Sequence, residues 1–296
     1  MNVTVNGISL YVDVQGPGAA NAGGPANGVG AGVPIYAHHG APGLGTHATP
    51  KRAFAPLADA YRIVTFDARG SGASDAVPPY THAQWVADLD ALRAHFGDET
   101  LIMKGGSYGG YVALEYTLAH PDRVSALILR DTSASRRFEE LAKHNAMARA
   151  AEFPAITEEL LDKVFSGRVE SDEAMRDAYA TIAPLYDAKT DPAKAAARVA
   201  AATYRADTHN QAFAGNLPNY DLTDRLHEIR VPTLIIVGRH DWITPLAASQ
   251  EIAAGIPHAE LVIFENSGHS PQLEENERFV AVVRDFLARH GLPGTA

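Results

Sequence analysis

Residues Gly105-Gly106-Ser107-Tyr108-Gly109-Gly110 set a serine between glycines two positions away on either side. A strand-like run, Thr100–Lys104, precedes them, and a helix-like stretch, Tyr108–His120, follows. Small residues at that spacing permit a sharp strand-to-helix turn with the Ser107 hydroxyl at its apex, the setting of a nucleophile in acyl transfer. The next amide, that of Tyr108, then opens a helix and faces developing negative charge. A serine hydroxyl is weak alone; it needs a base, and the base needs an acid to orient it. His269, in Asn266-Ser267-Gly268-His269-Ser270-Pro271, and Asp241, in Val237-Gly238-Arg239-His240-Asp241-Trp242, each follow another strand-like run. Asp131, after Val124–Leu129, is a rival acid and His240 a rival base. Asp241 could otherwise serve only to cap a helix starting near Pro245.

Turn chemistry supplies a second donor for an oxyanion. His38-His39-Gly40-Ala41-Pro42-Gly43 follows the run Val33–Ala37, and a tight turn there brings the Ala41 amide beside the nucleophile, opposite that of Tyr108. His38, His39 and Gly40 of the same turn, with Trp242, are expected to contact substrate. No metal or other cofactor is expected. The chain has no cysteine, its histidines lack H-E-x-x-H spacing, and neighbouring His38 and His39 point apart on an extended strand. Gly70-Ser71-Gly72 lacks the third glycine and the helix of a dinucleotide fingerprint.

The elements that must hold these residues are legible as alternation. Ile8–Val14, Val33–Ala37, Arg62–Phe66, Thr100–Lys104, Val124–Leu129, Thr233–Val237 and Glu260–Phe264 read as strands, several of them continuously apolar as in a buried parallel sheet. Thr81–Phe96, Tyr108–His120, Pro245–Ala254 and Asn276–His290 read as helices between them. The pattern predicts an α/β sheet flanked by helices. It breaks from Ser133 to Leu222, where Glu139–Ala151, Thr157–Phe165, Asp172–Ile182 and Pro192–Tyr204 all read as helices. The expected organisation is a core of residues 1–132 and 223–296 with a helical cap, or lid, at 133–222. Gly16–Gly32, GPGAANAGGPANGVGAG, reads as a flexible connection in the leading hairpin.

Composition limits the partners. The 296 residues are 46% hydrophobic and 20% charged, ordinary for a globular chain, and carry a formal charge of −10. That sign argues against nucleic acid or an anionic membrane as a partner. No signal peptide is evident, and no apolar run approaches the roughly 18 residues of a membrane span. The expectation is a cytoplasmic protein acting on a small molecule or short peptide, with its oligomeric state open.

Several stretches carry a family likeness. His39-Gly40-Ala41-Pro42-Gly43 is similar to an HGGPG motif, with alanine in place of the middle glycine. Phe66–Ser74 (FDARGSGAS), Trp85–Arg93 (WVADLDALR), Gly105–Leu114 (GGSYGGYVAL) and His120–Val124 (HPDRV) are similar to further motifs of the same branch. The chain resembles the α/β-hydrolase superfamily, and within it the proline iminopeptidase-like serine hydrolases, over about residues 33–132 and 230–290. The resemblance implies an α/β-hydrolase fold with an inserted cap and a Ser107–Asp241–His269 triad. Serine at the nucleophile position also sets it apart from dehalogenases and epoxide hydrolases of similar architecture, which use aspartate.

The first expectation is a proline iminopeptidase-like aminopeptidase or amidase; the alternative is a carboxylesterase or lactonase on small acyl substrates. A carbon–carbon bond hydrolase and a receptor-like binding protein on the same fold come after these. Iminopeptidases hold the substrate's free amine with cap carboxylates. Glu139, Glu140, Glu152, Glu158, Glu159, Glu170 and Glu173 lie in this cap, yet none matches such a motif, and most read as solvated helix faces. A buried cap carboxylate near Ser107 would favour the aminopeptidase, and an apolar acyl pocket the esterase.

Overall fold

The computed structural model describes residues 1–19 and 32–294. Eight strands form one sheet: β1 (Asn2–Val5), β2 (Ile8–Gln15), β3 (Ile35–His38), β4 (Ile63–Phe66), β5 (Leu101–Gly106), β6 (Val124–Arg130), β7 (Thr233–Gly238) and β8 (Glu260–Phe264). Their spatial order is β1-β2-β4-β3-β5-β6-β7-β8. β2 is antiparallel to both β1 and β4, and every later pairing is parallel. The middle strands β3, β4, β5 and β7 are buried along their whole length. Helices cover both of their faces, so most of their side chains are apolar. β8, with one neighbour, is only partly buried.

Alternation along the strands sorts their side chains into two cores. Leu127 and Leu129 of β6 pack with Trp85, Leu89 and Leu92 of α2 (His82–His95), Val112 and Tyr116 of α3 (Tyr108–Ala119), and Ile252 of α9 (Leu246–Gly255). Ala126 and Ile128, one residue out of step, pack with Phe54 of α1 (Ala48–Phe54) and with Phe279, Val283 and Phe286 of α11 (Asn276–Arg289). A helical stretch lies between β6 and β7: α4 (Glu139–Met147), α5 (Glu158–Phe165), α6 (Asp172–Ile182), α7 (Pro192–Ala201) and α8 (Ala206–Gln211). Thr157, Ser171 and Asp191 cap α5, α6 and α7 by accepting from backbone N–H groups of the first turn. A third core joins this stretch to the sheet, with Leu161, Met175, Tyr179 and Ile182 packing on Leu44 and Trp242.

Three features depart from the expectations. β1 pairs with β2 through a turn at Asn6-Gly7, where φ is 45° and 77°, so this short hairpin is the leading one. The Gly16–Gly32 connection instead follows β2 and leads to β3, and its residues 20–31 lie outside the described residues. α1 has no side-chain cap and Pro50 in its first turn, so its seven residues carry no sequence signature. Finally, the helices expected at Glu139–Ala151 and Pro192–Tyr204 stop at Met147 and Ala201. Among the described residues no helix is long and apolar enough to cross a membrane.

Candidate active site

Ser107 sits between β5 and α3 with φ 55° and ψ −131°, a conformation costing about 1–3 kcal/mol. The surroundings enforce it. The Ser107 N–H donates to the carbonyls of Arg130 and Asp131, both at 3.0 Å, and its carbonyl accepts from Thr132 Oγ1 at 2.8 Å. The flanking glycines are required by packing. A Cβ on Gly105 would strike the Gly109 carbonyl and Ala113, and one on Gly109 would strike the His39 carbonyl.

That last contact places the His39–Gly43 turn against the elbow. A Cβ on Gly40 would lie 2.9 Å from Ser107 Cβ and 3.5 Å from its Oγ. The Ala41 and Tyr108 amides have no protein acceptor among the described residues. Ala41 has φ 45°, a left-handed conformation that disfavours a Cβ. Ala41→Gly is therefore expected to relieve about 1–2 kcal/mol of strain and return roughly half through greater chain entropy. Thermal unfolding should show a midpoint raised by about 1–3 °C with turnover unchanged.

His38 and His39 depart from their expected role. His39 Nε2 accepts the Ala68 N–H at 2.9 Å, which leaves Nδ1 to donate to the Gly40 carbonyl at 2.7 Å. His38 Nδ1 lies 2.7 Å from the His39 carbonyl, and its ring meets Phe66 edge-on at 5.2 Å. Both brace the turn from beneath; neither lines the cavity above Ser107. Gly40, where an added Cβ would meet Ser107, does not line the cavity either, whereas Trp242 does.

Burial pushes the His38 pKa down to about 3 and that of His209 in α8 to about 4. Unfolded histidines titrate near 6.5. Between those values the unfolded chain binds protons that the native chain refuses, so these residues withdraw stability as pH falls below about 6.5. The urea midpoint is expected to be lower at pH 5 than at pH 7, with a smaller difference in His209→Gln.

Asp241 and His269 converge from the carboxyl ends of β7 and β8. His269 Nδ1 lies 2.9 Å from each Asp241 carboxylate oxygen. Asp241 also accepts from the Ile243 N–H (2.9 Å), the Thr244 N–H (3.2 Å) and Thr244 Oγ1 (2.7 Å). Burial opposes its charge, but His269 and these donors outweigh burial and hold its carboxyl below the usual range. Burial also lowers the His269 pKa against the pull of Asp241, which favours the neutral imidazole a base requires. Among the described residues no hydrogen bond joins Ser107 Oγ to His269.

Asp131, the rival acid, is wholly buried, and its carboxylate lies within 4.8 Å of the ligating atoms of Asp241 and His269. It bonds elsewhere, accepting the Gly238 N–H at 2.8 Å and pairing with Arg130 at 3.1 Å. Burial and the nearby Asp241 charge push its carboxyl well above the usual range. Of the two buried acids, Asp241 is the one hydrogen-bonded to His269. His240 is exposed and does not line the cavity above Ser107.

The cavity above Ser107 is walled largely by aromatic and aliphatic side chains, among them Tyr111, Phe138, Phe165, Ile182, Phe213 and Trp242. Glu139 is the single carboxylate along it among the described residues. Both its oxygens are engaged: Arg136 grips them in a two-pronged pair, and Lys143 Nζ lies 3.2 Å away. Phe66–Ser74 stays below the site, where Asp67 accepts the His47 N–H (2.6 Å) and Arg69 pairs with Asp88 (2.7 Å). Sequence reasoning missed two neighbours of His269, Tyr186 and Glu274, because neither lies in a recognisable motif.

The family model of the alpha/beta hydrolase fold matches residues 33–276. The chain belongs to the α/β-hydrolase family. Within the family it resembles proline iminopeptidases: it is 36% identical to proline iminopeptidase PfmaB of Pestalotiopsis fici, over 97% of this chain and 99% of that one. Among solved structures it is similar to a meta-cleavage product hydrolase of Pseudomonas fluorescens (TM-score 0.73, 21% identity, 98% of this chain and 97% of the other). It is also similar to an esterase of Thermogutta terrifontis (TM-score 0.68, 25% identity, 98% and 99%). The protein is thus a serine hydrolase of this fold.

Proposed function

We propose that this hydrolase cleaves esters or lactones of small, apolar acyl compounds through an acyl-enzyme on Ser107. His269 takes the hydroxyl proton as Ser107 attacks the carbonyl carbon. Ala41 and Tyr108 donate their amides to the oxyanion, and Asp241 holds Nδ1–H and stabilises the imidazolium. His269 then protonates the leaving alkoxide. Water, deprotonated by the same imidazole, releases the acid and restores Ser107. Residues 133–222 act as a cap whose aromatic side chains wall the acyl site.

One observation carries the substrate class. The cavity is lined mostly by aromatic and aliphatic side chains, and its single carboxylate among the described residues, Glu139, is already neutralised by Arg136 and Lys143. A substrate ammonium entering it would lose its water without gaining a free counter-charge. Hydrolysis of p-nitrophenyl esters of short aliphatic and aromatic acids, compared with proline and alanine p-nitroanilides, tests this. Ester turnover with little anilide cleavage is expected; faster cleavage of the free-amine anilides would overturn it.

A second reading, the iminopeptidase, is favoured by the named relatives and by the position of Glu139. It requires a substrate amine to displace Arg136 from that carboxylate. Glu139→Gln would then lower kcat/KM for the anilides and leave ester turnover unchanged.

A further inference from the structure

The peptide around His269 is held less by the sheet than by the helical stretch between β6 and β7. The His269 N–H donates to the Tyr186 carbonyl at 2.7 Å, and the Tyr186 ring meets the imidazole edge-on at 5.4 Å. One carboxylate closes the bracket. Glu274, at the end of α10 (Pro271–Glu274), accepts with Oε1 from the N–H groups of Gly268 (2.8 Å) and Ser270 (3.3 Å), on either side of His269. With Oε2 it accepts the Ala188 N–H of the helical stretch at 2.8 Å. The fit is tight, since a Cβ on Gly268 would lie 2.9 Å from both Ala188 N and the Asp187 carbonyl carbon.

Arg198 of α7 secures the other side of this joint. It pairs with Asp187 at 2.7 Å, lies over the Tyr186 ring at 5.2 Å, and donates to the Ala183 carbonyl at 3.3 Å. Three consecutive residues, Tyr186 to Ala188, therefore dock on three others, Gly268 to Ser270. Among the described residues, apart from the Asp241 pair, the sheet's own hold on His269 is the Arg130 guanidinium, which donates to its carbonyl.

We infer that Glu274 is a positioning residue that couples the seating of the cap to the placement of His269. When the cap is seated, the imidazole has a bonded backbone on both sides and an aromatic edge against its ring. When the cap lifts, Tyr186 and Ala188 leave, and the base loses its register with Ser107. Proton transfer is thereby confined to the closed enzyme. The inference rests on His269 being the base of the proposed reaction. An offset of about 1 Å at such a group can cost on the order of 100-fold in rate.

The test uses the full chain with p-nitrophenyl ester turnover and the rate at which a fluorophosphonate modifies Ser107. Glu274→Ala is expected to lower kcat and the modification rate together, by about 10- to 100-fold, with KM changed little. Glu274→Gln keeps one acceptor oxygen and should recover part of the loss. Arg198→Leu, which touches only the cap side, should also lower kcat. Because both changes act through one joint, the double variant should match the worse single variant within about twofold rather than multiply. Wild-type kcat in folded Glu274→Ala, or fully multiplicative effects, would overturn the coupling. If Glu274→Ala does not fold, Glu274→Gln and Arg198→Leu decide it by the same comparison. His269→Ala separates the two readings: an active variant removes the base itself, whereas an inactive one beside an unaffected Glu274→Ala removes only the joint.

Discussion

Ser107→Ala is expected to lose about 10⁶-fold in kcat while folding as the parent does. The magnitude follows from the role: without the hydroxyl no acyl-enzyme forms, and only the oxyanion donors and substrate binding remain to assist water. The intact fold follows from the geometry. Ser107 is held in its strained conformation through backbone groups, by Arg130, Asp131 and Thr132, and its Oγ has no hydrogen-bond partner among the described residues. Removing Oγ therefore breaks no bond of the native state. Burst-free ester kinetics and an unchanged urea midpoint check the two halves separately. Turnover within tenfold of the parent would remove Ser107 from the reaction altogether.

The second large effect distinguishes two buried acids a few ångströms apart. Asp241→Asn is expected to cost about 10⁴-fold in kcat, because an amide can donate to Nδ1 and stabilise the tautomer that carries its proton on the wrong nitrogen. Asp131→Asn should stay within about tenfold. Asparagine tolerates the positive φ of 45° found there, and its carbonyl oxygen can still accept the Gly238 N–H. The backbone carbonyl through which Asp131 holds Ser107 is unchanged by the substitution. Steady-state kinetics of the two variants at pH 7 and 8 decide the assignment. A loss in Asp131→Asn as large as that in Asp241→Asn would mean that the buried acids act as one unit.

Local signals explain why so much of the sheet could be read directly. Strands such as Thr233–Gly238 are short, β-branched and wholly buried, so their apolar runs stand out between Gly-rich turns. The hairpin at Asn6-Gly7 and helix α1 escaped notice, the first a four-residue strand and the second lacking a cap. His38 and His39 show the limit from the other side. Their turn lies beside Ser107 as expected, but their rings point into backbone beneath it, which no residue type announces.

By itself the sequence determined the order of most elements, the serine elbow, the turn opposite it, and an aspartate and a histidine that follow β7 and β8. Those features depend on neighbours within a few residues, where glycine spacing and hydrophobic period act. Only the tertiary structure decided which acid meets His269. Asp131 and Asp241 both end buried parallel strands, and their hydrogen bonds depend on side-chain direction across β6 and β7. It alone showed that Glu139, with its local partners Arg136 and Lys143, reaches the cavity, and that Glu274 ties the helical stretch between β6 and β7 to the histidine peptide. Docking between segments 80 or more residues apart depends on where the chain returns in space, and no local pattern encodes that.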